Sequence, residues 1–210
     1  MIARLASRKL LQQTTANSIS PCPVYAGFDP TAASLHVGNL ATIMALVQCS
    51  ISGFTPICLI GGATAFVGDP SGKSHQRNLL PEAAVEKNVA SISRQLELLS
   101  ENIQVYSAKH NAQFTRFQLV NNMSWFSGFN LLDFLRRVGR YSRVGQMLAR
   151  DSVKGRMASA DGISFTEFTY QLLQAYDFWH LYSTRGCLLQ IGGSDQWGNI
   201  TAGLVYSFRS

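Results

Sequence analysis

The sequence predicts an α/β fold with a parallel sheet and flanking helices, and three observations carry that prediction. Pro23 to Phe28 is a short apolar run delivered into the turn Asp29-Pro30. Leu40, Ile43, Met44 and Val47 then repeat at helical spacing, and Thr55 to Ile60 is a second β-rich run closed by Gly61-Gly62. Strand, helix and strand within sixty residues describe one crossover unit, which pairs its strands in parallel.

The helix of that unit begins near Gly38. A polar loop follows, and Pro81 then opens a long amphipathic helix to about Glu101, with Val85, Val89, Ile92, Leu96 and Leu99 on one face. Phe117 to Val120 is a weak strand. Leu131 to Val138 and Val144 to Lys154 read as helices, and Phe165 to Thr184 as a long one with Gly186 beyond its end. Cys187 to Ile191 gives another buried strand ahead of Gly192-Gly193. No internal repeat, low-complexity tract or interdomain linker divides the chain.

Composition sets outer bounds. The 210 residues suffice for one sizeable domain, and 46% hydrophobic against 14% charged residues argues for a globular chain rather than a disordered one. No apolar run approaches the roughly 18 residues of a membrane span, so no membrane association is expected. The formal charge of +6 fits contact with a polyanion such as RNA, but an ordinary solvated surface fits it too. Half of that charge comes from Arg4, Arg8 and Lys9 in an N-terminal stretch free of Asp and Glu. Residues 1–20, rich in Ser and Thr with interrupted leucines, have the composition of an organelle transit peptide. Mitochondrial import fits better than plastid import, with a plain unstructured tail and a cytoplasmic protein as alternatives, and the segment is set aside from fold reasoning. The four cysteines form no C-x-x-C pair and no histidine stands at zinc-ligand spacing from them, so no metal site of protein ligands is expected.

Two constellations carry chemistry. The segment from Tyr25 through Gly27, Asp29 and Thr31 to His36 and Asn39 places a strand end and a polar turn ahead of a helix N-terminus, where unpaired N–H groups and the dipole favour anions. His36 and Asn39 lie on one side of that helix start and could donate to phosphate oxygens; helix capping is the alternative on spacing alone. On the long helix, Tyr170, Gln174 and Asp177 fall within about 60° of one another and form one polar stripe, which spacing alone also permits to face solvent. The run Gly68 to Ser74 invites a P-loop reading that its register refuses: Gly68 and Gly72 enclose three residues, and Val67 stands where the earlier glycine is needed.

The segment from Tyr25 to Asn39 resembles the HIGH-type signature of class I aminoacyl-tRNA synthetases, and Gly27-Phe-Asp-Pro-Thr within it is similar in particular to tyrosyl-tRNA synthetases. Gly61-Gly-Ala-Thr through Gly68-Asp-Pro-Ser-Gly-Lys73, Phe165-Thr-Glu-Phe through Gln174-Ala-Tyr-Asp177, and Gln190-Ile-Gly-Gly-Ser-Asp195-Gln-Trp through Gly203 resemble further blocks of that family, in order. The resemblance implies a Rossmann-type nucleotide-binding fold over residues 21–210. It implies that Tyr25 and Asp177 bond the phenol of L-tyrosine while Asp69, Tyr170 and Gln174 hold its ammonium group. It sets Gly27, Asp29, Gly193, Asp195 and Gln196 around the nucleotide and adenylate, with Gln196 also reaching the tyrosine. Thr31, His36 and Asn39 would bond the polyphosphate, and Lys73 and Arg77 would neutralise departing pyrophosphate. ATP is then a substrate, with Mg2+ expected on its phosphates, and tRNA(Tyr) the acceptor.

Two departures qualify this picture. Asn39 stands where the strict signature has His, and its amide can still donate to a phosphate. The chain ends at Ser210, before the KMSKS-type loop and the anticodon-binding domain the family places later, so the catalytic domain is expected to be incomplete at its C-terminus. The competing reading is a non-catalytic module that binds tyrosine or adenylate, or that dimerises. The resemblance also implies a homodimer with part of its interface between Leu131 and Phe165, although Phe129, Leu131, Leu132, Phe134 and Leu135 equally suit a core helix.

Overall fold

Four parallel strands in the order β3-β2-β1-β4 form the centre of the molecule. The computed structural model describes residues 1–72, 75 and 80–209, the last five as helix backbone. The strands are β1 (Pro23–Phe28), β2 (Thr55–Ile60), β3 (Gln118–Asn121) and β4 (Leu189–Ile191). β1 pairs with β2 along its whole length and with β4 over Val24 to Ala26. The chain therefore builds outward from β1 to β3 and then crosses back to place β4 on the other side of β1. That reversal opens a crevice beyond the carboxyl ends of β1 and β4, where open α/β sheets bind ligands.

Alternation along the strands sorts side chains into two layers. Val24, Ala26, Phe28, Cys58 and Ile60 pack against Ile43, Leu46 and Cys49 of α2 (Val37–Ile51) and Ile92 and Leu96 of α3 (Glu82–Lys109). Tyr25, Ile57 and Leu59 face the other way, onto Phe178 and Leu181 of α8 (Phe165–Arg185). A third cluster joins Leu172, Ala175 and Tyr176 of α8 to Val138, Met147 and Ala202. β2, buried at every position after Thr55, reads as the continuous apolar run expected of a strand covered on both faces.

The expected elements form, with instructive differences at their ends. α3 runs eight residues past Glu101 because Ile103 still packs on the core and Ser107 is still buried. The single helix expected over Val144 to Lys154 is two, α6 (Val144–Leu148) and α7 (Asp151–Met157). Arg150 breaks it with an extended backbone, φ −72° and ψ 140°, and Asp151 starts the next helix with an acid in its first turn. The remaining helices are α4 (Met123–Phe126), α5 (Leu131–Arg137) and α9 (Trp197–Arg209). α8 begins with a capping box, in which Ser164 Oγ accepts from the Glu167 N–H, and stops at Gly186, whose φ of 64° is the left-handed conformation glycine adopts without penalty.

Residues 1–20, set aside on composition, contribute to this packing. α1 (Ile2–Ser7) buries Leu5 against the α2 layer, and Arg4 Nε donates to Gln48 Oε1 at 2.7 Å.

Candidate functional site

The crevice beyond β1 and β4 holds a cavity of about 340 Å³. Each predicted site residue that the structure describes lines it: Tyr25, Gly27, Asp29, Thr31, His36, Asn39, Asp69, Tyr170, Gln174, Asp177, Gly193, Asp195 and Gln196. Lys73 and Arg77 lie outside the described residues. Tyr25 and Gly27 project from the same face of β1, and Asp29 follows at its carboxyl end. Opposite them runs the polar stripe of α8. Tyr170 and Asp177 are buried, so the stripe faces the cavity and not the solvent.

Asp177 is the most constrained of these groups. Only 2% of it is exposed, and each carboxylate oxygen accepts one hydrogen bond, Oδ1 from Trp125 Nε1 at 2.8 Å and Oδ2 from Asn122 Nδ2 at 3.2 Å. Burial outweighs both donors and pushes the carboxyl up to about 8, with the charge of Asp29 adding to the rise. Next to it the Tyr25 hydroxyl is buried and has no hydrogen-bond partner among the described residues. Burial first and the Asp177 charge second raise this phenol well above its ordinary range, so it remains a neutral donor. Gln174 Oε1 and Gln190 Oε1 are buried and unpartnered as well. Three orphaned polar atoms around one cavity are a built demand for a polar ligand, because each costs free energy until it is paired.

A second carboxylate is wired to the first. Asp29 Oδ2 accepts from the Tyr170 hydroxyl at 2.8 Å, and Asp29 Oδ1 from Thr64 Oγ1 at 2.7 Å. Asn122, fully buried, donates both to Thr64 Oγ1 and to Asp177, while its own oxygen accepts from the Ala63 N–H at 2.7 Å. The close approach of Asp29 and Thr64 to the chain explains Gly61, since a β-carbon there would collide with Asp29 Oδ1 and Thr64 Oγ1. Thr64, Asn122, Trp125 and Gln190 were not singled out from sequence. Thr64 does lie within the block from Gly61 to Lys73 and Gln190 opens another, whereas nothing around the weak strand at Phe117 to Val120 signalled Asn122 or Trp125.

At the other end of the cavity, Asp69 Oδ1 accepts from the Ser71 N–H at 2.9 Å, which folds the loop after β2 into a tight turn. Gln196 Nε2 donates to Asp69 Oδ2 at 2.6 Å and to Asp195 Oδ2 at 2.8 Å, tying that loop to the turn after β4. Around the rim, Thr31 in the loop after β1 and His36 at the start of α2 are exposed. Asn39 Oδ1 accepts from the His36 N–H at 3.0 Å, so the residue does cap the helix; its amide N–H₂ retains its capacity to donate. Capping and anion binding are compatible here, because the cap uses the oxygen and a phosphate would use the nitrogen.

A family described as class I tRNA synthetases (W and Y) matches residues 18–209. A tyrosine–tRNA ligase of Flavobacterium johnsoniae is 52% identical over 180 residues, covering 85% of this chain and 40% of that protein. The mitochondrial tyrosine–tRNA ligase of Drosophila melanogaster is 49% identical over 183 residues, covering 86% of this chain and 39% of that protein. Among solved structures, a C-terminally truncated mitochondrial tyrosyl-tRNA synthetase of Aspergillus nidulans superposes with a TM-score of 0.84 at 43% identity, covering 90% of this chain and 53% of that one. The chain thus spans well under half the length of these two curated relatives.

Proposed function

This chain belongs to the class I tRNA synthetases of the tryptophan and tyrosine type, and on that premise we propose that its cavity binds L-tyrosine and ATP, forms tyrosyl-adenylate, and passes the tyrosyl group to the 3′ end of tRNA(Tyr). The observation that carries the choice of tyrosine is the buried, unpartnered Tyr25 hydroxyl beside the Asp177 carboxylate. A phenolic hydroxyl entering there accepts from Tyr25 and donates to Asp177, which satisfies both groups at once. A phenyl ring leaves the Tyr25 hydroxyl unpaired and gives Asp177 no further donor, and that loss is the basis of discrimination.

Around this anchor, Asp69, Tyr170 and Gln174 receive the ammonium group, with Gln196 at the edge of the same site. Gly27, Asp29, Gly193 and Asp195 surround the nucleotide, with Asp195 on its ribose. Thr31, His36 and Asn39 meet the polyphosphate at the positive end of α2. The tyrosine carboxylate oxygen bonds to the α-phosphorus as the bond to the pyrophosphate oxygen breaks in line. Catalysis is positioning and charge stabilisation, with no side-chain nucleophile. Lys73 and Arg77 suit the departing pyrophosphate by their charge. Magnesium would arrive with ATP, held largely by phosphate oxygens and water, and would neutralise phosphate charge.

Calorimetric titration with tyrosine and with phenylalanine tests the reading. Tyrosine is expected to bind at least about 100-fold more tightly, from two hydrogen bonds of which one is to a charge. A folded chain that binds neither would overturn it. Tyrosine-dependent exchange of pyrophosphate into ATP then separates an enzyme from the binding module.

A mitochondrial address is supported by the basic, acid-free N-terminus and by mitochondrial relatives, while bacterial relatives match as closely. Among the described residues no helix is long and apolar enough to cross a membrane. Homodimerisation is supported by Leu131, Leu132 and Phe165, which are 71%, 76% and 76% exposed on one chain. Large apolar side chains left so open suit an interface better than a core. Leu132→Asp should shift the sedimentation coefficient from dimer to monomer without lowering helix content; an unchanged dimer places the interface elsewhere.

A further inference from the structure

His180 has no part in the site described so far, yet it touches the residue that holds Asp177. α8 carries Asp177 and His180 three residues apart, on one side of the helix. Trp125 lies across both: its Nε1 donates to Asp177 Oδ1 at 2.8 Å, and its ring stacks on the His180 imidazole with centroids 4.4 Å apart and planes 22° from parallel. The helix that supplies Trp125 is α4, a single turn of four residues with none buried, so it fixes the indole poorly by itself. Phe126 makes a tilted contact at 6.5 Å, and the indole packs against the buried clusters that hold Tyr176 and Phe178. His180 supplies the near-parallel, face-on contact to the indole, and the plane of the indole decides whether the N–H points at the carboxylate.

We propose that His180 is a positioning residue that acts through Trp125: by clamping the indole face it aims the Nε1–H at Asp177 and thereby tunes recognition of the substrate phenol. The stacked ring is the neutral imidazole, since burial, with Arg185 second, holds His180 below the usual histidine range. A flat apolar ring should therefore serve as well as histidine. The proposal rests on the reading of Asp177 as the phenol's partner, and two readouts keep the two apart.

The first readout is the indole N–H resonance of Trp125 in a ¹⁵N-labelled full chain without ligand, assigned by its loss in Trp125→Phe. At pH 8.5 a charge-assisted bond to the Asp177 carboxylate holds that resonance downfield. His180→Ala should move it upfield toward its position in Asp177→Asn, and His180→Phe should restore it. The second readout is the ratio of tyrosine to phenylalanine affinity, which His180→Ala should lower about fivefold through tyrosine alone, as expected for loss of an aromatic pair, with recovery in His180→Phe. A merely destabilising substitution would affect both amino acids alike. If Asp177→Asn leaves the ratio unchanged, the tyrosine-site reading fails while the resonance still tests the clamp. A resonance unmoved in His180→Ala, or a ratio unmoved there while Asp177→Asn collapses it, overturns the proposal.

Discussion

Asp177→Asn should weaken tyrosine binding about a hundredfold while changing phenylalanine binding less than about threefold, measured by calorimetry at pH 8.5. A hydrogen bond to a charged group is worth about 1.5–3 kcal/mol, which spans roughly ten- to 150-fold. The upper part of that range applies here because the carboxylate is buried and, among the described residues, two donors, Trp125 and Asn122, compete for it. Equal weakening of both amino acids would mean that Asp177 supports the fold of the pocket and does not read the phenol. The same carboxyl fixes a pH dependence. With its pKa pushed up to about 8, the group that accepts from the ligand is depleted as pH falls below that value, so tyrosine affinity should decline from pH 8.5 to pH 6.5. Stability moves in the opposite sense. Between the ordinary value of 3.8 and about 8 the folded chain holds a proton on Asp177 that the unfolded chain has lost, so rising pH through this window lowers stability by up to a few kcal/mol. In Asp177→Asn that part of the slope should vanish in urea unfolding at pH 5.5 and 8, and a slope equal to the parent's would contradict the assignment.

The sequence carried the parts of this site that depend on short-range regularity. β1 and β2 have the bounds their apolar runs predict, and spacing by four and three brings Tyr170, Gln174 and Asp177 to one face. Spacing did not tell which way that face turns. The answer lies in sheet order, because β4 on the far side of β1 opens the crevice that α8 overlooks. Nor was the wiring of the two carboxylates legible, since Asn122 reaches Thr64 across 58 residues and Asp177 across 55, and no periodicity records a bond of that span. The break between α6 and α7 was hidden for a related reason. Val144 to Lys154 has an acceptable helical pattern throughout, and only burial of Val153 and Arg156 in the second segment requires the turn at Arg150.

That turn delivers Arg156 to a buried ion pair, and breaking the pair should be the most destabilising single change outside the cavity. Arg156 Nη2 lies 3.0 Å from Glu167 Oε2, with side chains 1% and 2% exposed. Arg156→Met should lower stability by about 3–5 kcal/mol, because it leaves Glu167 buried without its cation. In a chain of this length that is a fall of about 10 °C in Tm. Glu167 is also the third residue of α8 and closes its capping box, where its Oε2 lies 3.4 Å from the Ser164 N–H, so its loss adds about 1 kcal/mol from the helix start. The double variant Arg156→Met with Glu167→Gln is then the informative one. It removes both charges together, with the Arg156 bonds to Glu167 and Ser159, and keeps an acceptor for the cap. Recovery of most of the lost stability would show that the single variant suffers from an orphaned charge and not from lost packing of the arginine stem. Tyr170 stands one turn beyond Glu167, so tyrosine affinity should fall in the single variant and return in the double, the reverse of Asp177→Asn, which removes affinity and leaves the fold in place.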